Sequence, residues 1–352
     1  MTHYVYVGVP QWSSTEGSGV LGGLFRQEVG AREWHHLSKG LLEKAEIRVL
    51  AIHPDNPQIV YAGTQDGPYR SADSGDHWER LAFPDPGMIV WSISFHPRNP
   101  QILYLGTAPA AVYRSDNGGE SWHRLPIVET AGMVRMAFPT RIIRLAIDPG
   151  HPEDIYAGLE VGGVIRSRDG GDTWSDCTPA LLRLADQAHL KSLLGSDTES
   201  EGMMDAHAIA VSAARPGTVF LANRMGLFCS PDRGESWQEM EIWRFSPFAY
   251  ARDIQVAPHD SHILYAALSP AALSQAGAIY RSQDLGQTWR RFDHHVTPRR
   301  TMMAVALSRQ DPQCVYGVNS IGQVFGTQDG GATWNEFPLP AGLRNVYALA
   351  CG

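Results

Sequence analysis

Three residues of this chain have types suited to proton transfer: Asp205, His207 and Asp253. Histidine titrates near neutrality, and a carboxylate beside it can take or return a proton. Five more suit an anionic ligand group: Arg48, Arg144, Arg224, Arg252 and Tyr250. A guanidinium matches a carboxylate or phosphate through two parallel hydrogen bonds. Most of these residues stand where apolar stretches begin, as in "IIRLAIDP" (142–149), "DAHAIAV" (205–211) and "YARDIQV" (250–256). Asp205 and His207 lead into one such apolar stretch. Arg144 and Asp253 hold the same phase in their strands, so an ion pair between them is the alternative to a ligand site.

These stretches belong to a repeat. The frame Ser/Thr-x-Asp/Asn-x-Gly-x-Ser/Thr-Trp returns as "SADSGDHW" (71–78), "SDNGGESW" (115–122), "SRDGGDTW" (167–174), "SPDRGESW" (230–237), "SQDLGQTW" (282–289) and "TQDGGATW" (327–334), with His77 at the seventh place in one copy. A worn copy, "QEVGAREW" (27–34), keeps Gly30 and Trp34. The seven tryptophans, Trp34 to Trp334, are 44, 44, 52, 63, 52 and 45 residues apart, a period that suits a four-stranded propeller blade. A strand–turn–strand phrase precedes each full box, as in "LAIHPDNPQIVYAGT" (50–64) and "ISFHPRNPQILYLGT" (93–107). "HYVYVGV" reads as a second strand, "GGLFRQEV" as a third and "NVYALACG" as a first. The expectation is an all-β, seven-bladed β-propeller spanning 1–352. The C-terminal strand 345–352 completes the blade begun by 1–38, and this pairing closes the ring.

The aspartates of the box look like metal ligands. Calcium needs more oxygens at close spacing. Asp169 is better placed to accept backbone N–H groups of a tight turn, with Gly171 supplying positive φ and Trp174 an apolar body. The frame resembles the Asp-box, or BNR, repeat of sialidases, sortilin-type receptors, xyloglucanase-type glycoside hydrolases and photosystem assembly factors. The resemblance covers nearly the whole chain and implies the fold. The strand phrase looks most like the xyloglucanase-type and sortilin-type branches. Sialidases typically carry an Arg-Ile-Pro motif on six blades; here that motif is absent and the blades number seven. Xyloglucanase-type enzymes use aspartates from two propellers facing one cleft. Asp66 resembles one such position, and a second propeller is missing from this sequence.

Function in a repeat protein tends to lie where the repeat breaks. The largest break is an insertion, 178–206. Thr178 as N-cap, Pro179 and Gly195 predict a helix, and the acidic "SDTESEG" after it reads either as a solvated, mobile surface loop or as a lid that carries carboxylates over the ring mouth. The resemblance implies that the connections into the first strands share one face, called the top, with the second-to-third-strand loops; unusual residues gather there in "PQWSSTEGSGV" (10–20), "ANRMG" (222–226), "EIWRFSPFAYARD" (241–253) and "FDHHVTPRRTMM" (292–303). Small residues at Ala51, Ser94, Ala146, Ala210, Ala306 and Ala348, with Gln255, mark the channel-facing phase. Arg48, Trp91, His207 and Arg252 lie one step off that phase, at the strand entrances; two directions are open to them, between blades, which parity favours, or folded onto the rim. His294 and His295 are adjacent and face opposite ways on a strand, so no metal site is expected. No cofactor is expected either.

A net charge of −8 argues against a nucleic-acid partner, and no apolar run is long enough for a membrane span. The first residues lack the pattern of a signal peptide. Cys177, Cys229, Cys314 and Cys351 fall at unrelated phases and read as isolated thiols, which implies a cytoplasmic protein. Two functional classes follow. One is a ligand pocket at the top of the central channel, in an enzyme of hydrolase or lyase type acting on a small anionic or carbohydrate-like substrate. The other is a non-catalytic protein-binding scaffold or assembly factor. Charged residues at a channel mouth favour the first.

Overall fold

The computed structural model describes residues 2–10, 23–192, 195–340 and 346–352. The loop 10–20 singled out above lies, but for Pro10, outside them. Seven four-stranded antiparallel sheets form a closed β-propeller. Their inner strands are Val49–Ile52 (blade 1), Ile89–Phe95 (blade 2), Ile142–Ile147 (blade 3), Ala206–Val211 (blade 4), Tyr250–Val256 (blade 5), Met302–Leu307 (blade 6) and Ala348–Cys351 (blade 7). In blade 7, Ala348–Cys351 pairs with Tyr4–Val9, with Val5 opposite Cys351 and Gly8 opposite Ala348. The second strands, such as Val60–Thr64 and Ile155–Leu159, are buried along their whole length because neighbouring blades cover both faces.

The box is a fastener. Ser167 Oγ donates to Asp169 Oδ1 and accepts from Gly171 N, both at 2.8 Å. Asp169 also accepts from Thr173 N (2.8 Å) and Thr173 Oγ1 (2.6 Å). Trp174 Nε1 donates to Gly171 O at 3.0 Å. Gly171 has φ 103°, and a Cβ there would come within 2.4 Å of Leu125 in the preceding blade. The same bonds recur around Asp73, Asp232, Asp284 and Asp329. The four cysteines are buried and unpaired. No helix among the described residues is long and apolar enough to cross a membrane.

The insertion departs from its expected form. The helix spans only Thr178–Ala185; Cys177 stands at its N-cap, and Asp176 Oδ1 accepts the Thr178 N–H. A 3₁₀ turn, Ala188–Leu190, and a short helix, Glu201–Met204, follow. Within the acidic segment, Glu201 is anchored rather than solvated. Glu201 is fully buried and accepts from Gly195 N (2.9 Å), Ser196 N (2.9 Å) and Ser196 Oγ (2.8 Å). One carboxylate thus organises the turn that composition alone marks as solvated.

Candidate functional site

Five inner strands carry a bulge at one level, at Trp91, Ile143, His207, Arg252 and Met303. Arg48 and Tyr347 occupy the same step in blades 1 and 7, just before Val49 and Ala348. A bulge inserts one residue and re-aims its side chain. All seven residues line a single cavity at the top of the channel. Of the two directions open to Arg48, Trp91, His207 and Arg252, the one that parity favours, between blades, gives way to the rim, since strict alternation does not survive a bulge. The alignment of blade 7 is corrected too: Ala348 shares its level with Arg144, and Ala350 is the counterpart of Ala51.

The cavity holds about 70 Å³, room for a carboxylate-sized group or roughly two waters at ~30 Å³ each. Among the described residues, Arg48, Arg144 and Arg252 reach it, against one carboxylate, Asp253. Arg144 Nη2 lies 3.3 Å from Asp253 Oδ1. That carboxylate is 1% exposed and also takes Gln255 Nε2 (2.9 Å) and Val305 N (3.0 Å). Ser92 accepts the equivalent N–H, Leu145 N, at another seam (2.8 Å). The sequence places Asp253 among the proton carriers; the geometry gives it the tasks of orienting Arg144 and tying blade 5 to blade 6.

Arg48 pairs with Glu46 and stacks over Trp91 (4.9 Å) and Tyr347 (5.3 Å). Arg141 covers Trp91 at 4.4 Å and pairs with Glu160. Among the described residues, no carboxylate lies within 4.0 Å of the Arg252 guanidinium. Arg48 Nε, Arg144 Nε and Trp91 Nε1 are buried without an acceptor. The mouth therefore carries more donors than the described residues satisfy.

Behind this wall runs a polar chain. Arg224 bonds Glu201 Oε1 (2.8 Å) and Asp205 Oδ2 (2.7 Å). Asp205 Oδ2 lies 3.2 Å from His207 Nε2, and His207 Nδ1 lies 2.7 Å from Ala251 O. Burial opposes ionisation of Asp205, but His207 and Arg224 outweigh it and hold the carboxyl far below the usual range. Burial, then the charge of Arg252, lowers the pKa of His207, with Asp205 and Ala251 O opposing. Tyr250 packs its ring on His207 at 5.1 Å beside Arg252. Of the eight residues singled out from sequence, Arg48, Arg144, His207, Arg252 and Asp253 line the cavity; Asp205, Arg224 and Tyr250 form its backing.

Trp91 and Tyr347 line the mouth, and Glu160 backs it; sequence reasoning gave none of them a role. Glu160 sits in "LEVGG", where Val161 has φ 51°, a left-handed backbone that β-branched residues rarely adopt. That exception is the one local signal. Burial raises the Glu160 pKa, with Arg141 opposing.

Two other polar clusters have structural explanations. Asp148, His151 and Asp154 bring ligand-type atoms within 4.8 Å of one another. Asp148 accepts Gly150 N and Gly217 N, each at 2.8 Å, in the place where His53 and His96 brace the equivalent turns, and Asp154 takes Arg233 Nε at 2.8 Å. Asp293, in the "DHH" stretch, is fully buried with Arg291 Nε at 2.9 Å on one oxygen and nothing on the other. Burial pushes its pKa to about 6, above the unfolded value. A raised carboxyl pKa adds stability below pH ~4, and that contribution is lost as pH rises through about 6. Asp293→Asn should therefore stabilise the fold at pH 7 by about 2 kcal/mol, with the gap to wild type closing near pH 4 in parallel melts.

No protein-family model matches the chain. A xyloglucanase of a Paenibacillus species is 25% identical over 261 residues, covering 59% of this chain and 22% of that enzyme. The chain thus spans about a fifth of that relative's length. Among solved structures, the GH74 xyloglucanase from Xanthomonas campestris superposes with a TM-score of 0.65 at 17% identity, covering 98% of this chain and 52% of that one. YCF48 bound to D1 peptide gives a TM-score of 0.54 at 15% identity, covering 85% and 83%. These structural likenesses establish the propeller fold.

Proposed function

We propose that the protein binds its ligand through an anionic group seated in the channel mouth, and hydrolyses a carbohydrate-type ligand whose body lies across the top face. The observation that carries this reading is the donor surplus: three guanidinium groups and the Trp91 indole face a cavity whose one carboxylate is already engaged. A bidentate carboxylate would satisfy Arg252 and the free edge of Arg144 together. The small volume restricts the mouth to the charged group itself. The similarity to xyloglucanases supports the carbohydrate class and the hydrolytic reaction. In this reading the Asp205–His207 pair handles the proton, with Arg224 keeping Asp205 ionised.

The test is hydrolysis of 4-nitrophenyl glucuronide. Wild type should release nitrophenolate, His207→Gln should lower kcat by about 100-fold with KM nearly unchanged, and Arg144→Ala should raise KM. Absence of release by wild type overturns the hydrolase reading. One observation favours a protein-binding scaffold instead. The exposed large apolar side chains among the described residues, Leu42, Met133, Phe138, Trp243, Leu273 and Ile321, all lie on top-face connections.

A further inference from the structure

The blades are latched to one another by a recurring pair of side chains. The second-strand tyrosine donates to a box carbonyl of the next blade: Tyr6 to Ser74 O (3.0 Å), Tyr61 to Gly118 O (2.8 Å) and Tyr104 to Gly170 O (3.0 Å). The third-strand arginine does the same: Arg26 to Ser74 O (2.6 Å), Arg70 to Gly118 O (3.1 Å) and Arg166 to Arg233 O (2.5 Å). Between blades 5 and 6 both residues are present, as Tyr265 and Arg281, and neither makes this bond.

A pocket of about 290 Å³ lies at that seam, on the face opposite the channel mouth. Tyr265 forms part of its floor, 4% exposed, and its hydroxyl has no hydrogen-bond partner among the described residues. Arg281 sits over the Tyr265 ring (5.7 Å) and the Phe292 ring (5.4 Å), its Nε buried without an acceptor. Ile263, Leu307 and Val315 supply apolar walls. The nearby carboxylates are occupied: Asp329 by Thr333 N and Oγ1, at 2.8 and 2.6 Å, and Asp260 by His262 N at 3.0 Å. The Tyr265 hydroxyl, without a partner among the described residues, and the buried Nε of Arg281 stand beside apolar walls, an arrangement that suits a molecule bringing an acceptor together with an apolar body.

We propose that the seam between blades 5 and 6 is a second ligand site, which takes a small carboxylate with a flat apolar body. The carboxylate sits on Arg281 and Tyr265, and the body lies against Ile263, Leu307 and Val315. An apolar cavity of about 150 Å³ accommodates benzene, so 290 Å³ is ample for a monocyclic aryl carboxylate. The site is independent of the channel mouth.

Benzoate is the probe, titrated by ligand-observed NMR into wild type, Tyr265→Phe, Arg281→Met and Arg252→Met. Wild type and Arg252→Met should bind alike. Arg281→Met should bind at least about tenfold more weakly, and Tyr265→Phe about threefold more weakly. Tyr265→Phe keeps the ring and so keeps the fold if Arg281→Met does not. The site is refuted if wild type fails to bind benzoate, if Tyr265→Phe binds as wild type does, or if Arg252→Met abolishes binding.

Discussion

Removal of residues 345–352 should abolish cooperative unfolding. Ala348–Cys351 is the inner strand of blade 7, and Gly352 exchanges backbone bonds with Tyr4 at 2.8 and 2.9 Å. Val346, Ala348, Ala350 and Cys351 are all buried against neighbouring blades. Without them the strand Tyr4–Val9 becomes an open edge beside an exposed apolar seam, a template for aggregation. Tyr347 leaves too, and with it part of the stack on Arg48 and Trp91. Calorimetry should show a broad, irreversible transition in place of a single melt. A truncated chain that melts reversibly at the wild-type temperature would mean that the ring does not depend on this pairing.

Glu201→Ala should be the most damaging single substitution in the insertion. It removes the acceptor for Gly195 N and Ser196 N and leaves Arg224, whose side chain is 15% exposed, with Asp205 alone. Breaking a buried ion pair by deleting one partner costs about 3–5 kcal/mol, and two stranded N–H groups add to it. The segment 195–204 should then become the first site of limited proteolysis, whereas in wild type cleavage should begin elsewhere. Equal cleavage patterns in the two proteins would show that Glu201 does not hold the insertion in place.

The propeller is legible because the box repeats. Each copy pairs a turn acceptor with a positive-φ glycine and a packing tryptophan, so local chemistry and global fold agree. The channel mouth is legible in part. Arg144 and Asp253 share a strand phase, and phase is enough to bring them within 3.3 Å. Arg48, Trp91, His207 and Arg252 mark the right level, but parity favours the wrong one of their two directions, because no residue type announces a bulge. The Ala348 alignment slips by two residues because "NVYALACG" lacks the turn phrase that sets the register elsewhere. Glu201 reads as one more acid in an acidic run, and only tertiary packing shows that it closes a turn and meets Arg224.

The donor surplus at the channel mouth is the centre of the account, and Arg252 is its cleanest probe. It faces the cavity with no carboxylate within 4.0 Å among the described residues, and Tyr250 is its side-chain hydrogen-bond partner, so its loss breaks no close ion pair. Isothermal titration of glucuronate, with glucose as the uncharged counterpart, into wild type and Arg252→Met tests it directly. Glucuronate should bind wild type and lose about tenfold or more in Arg252→Met, the scale of a charge-assisted hydrogen bond. The melting temperature should stay unchanged, and glucose should not distinguish the two proteins. Glucuronate that fails to bind wild type, or binds both proteins equally, would contradict an anion site at the mouth.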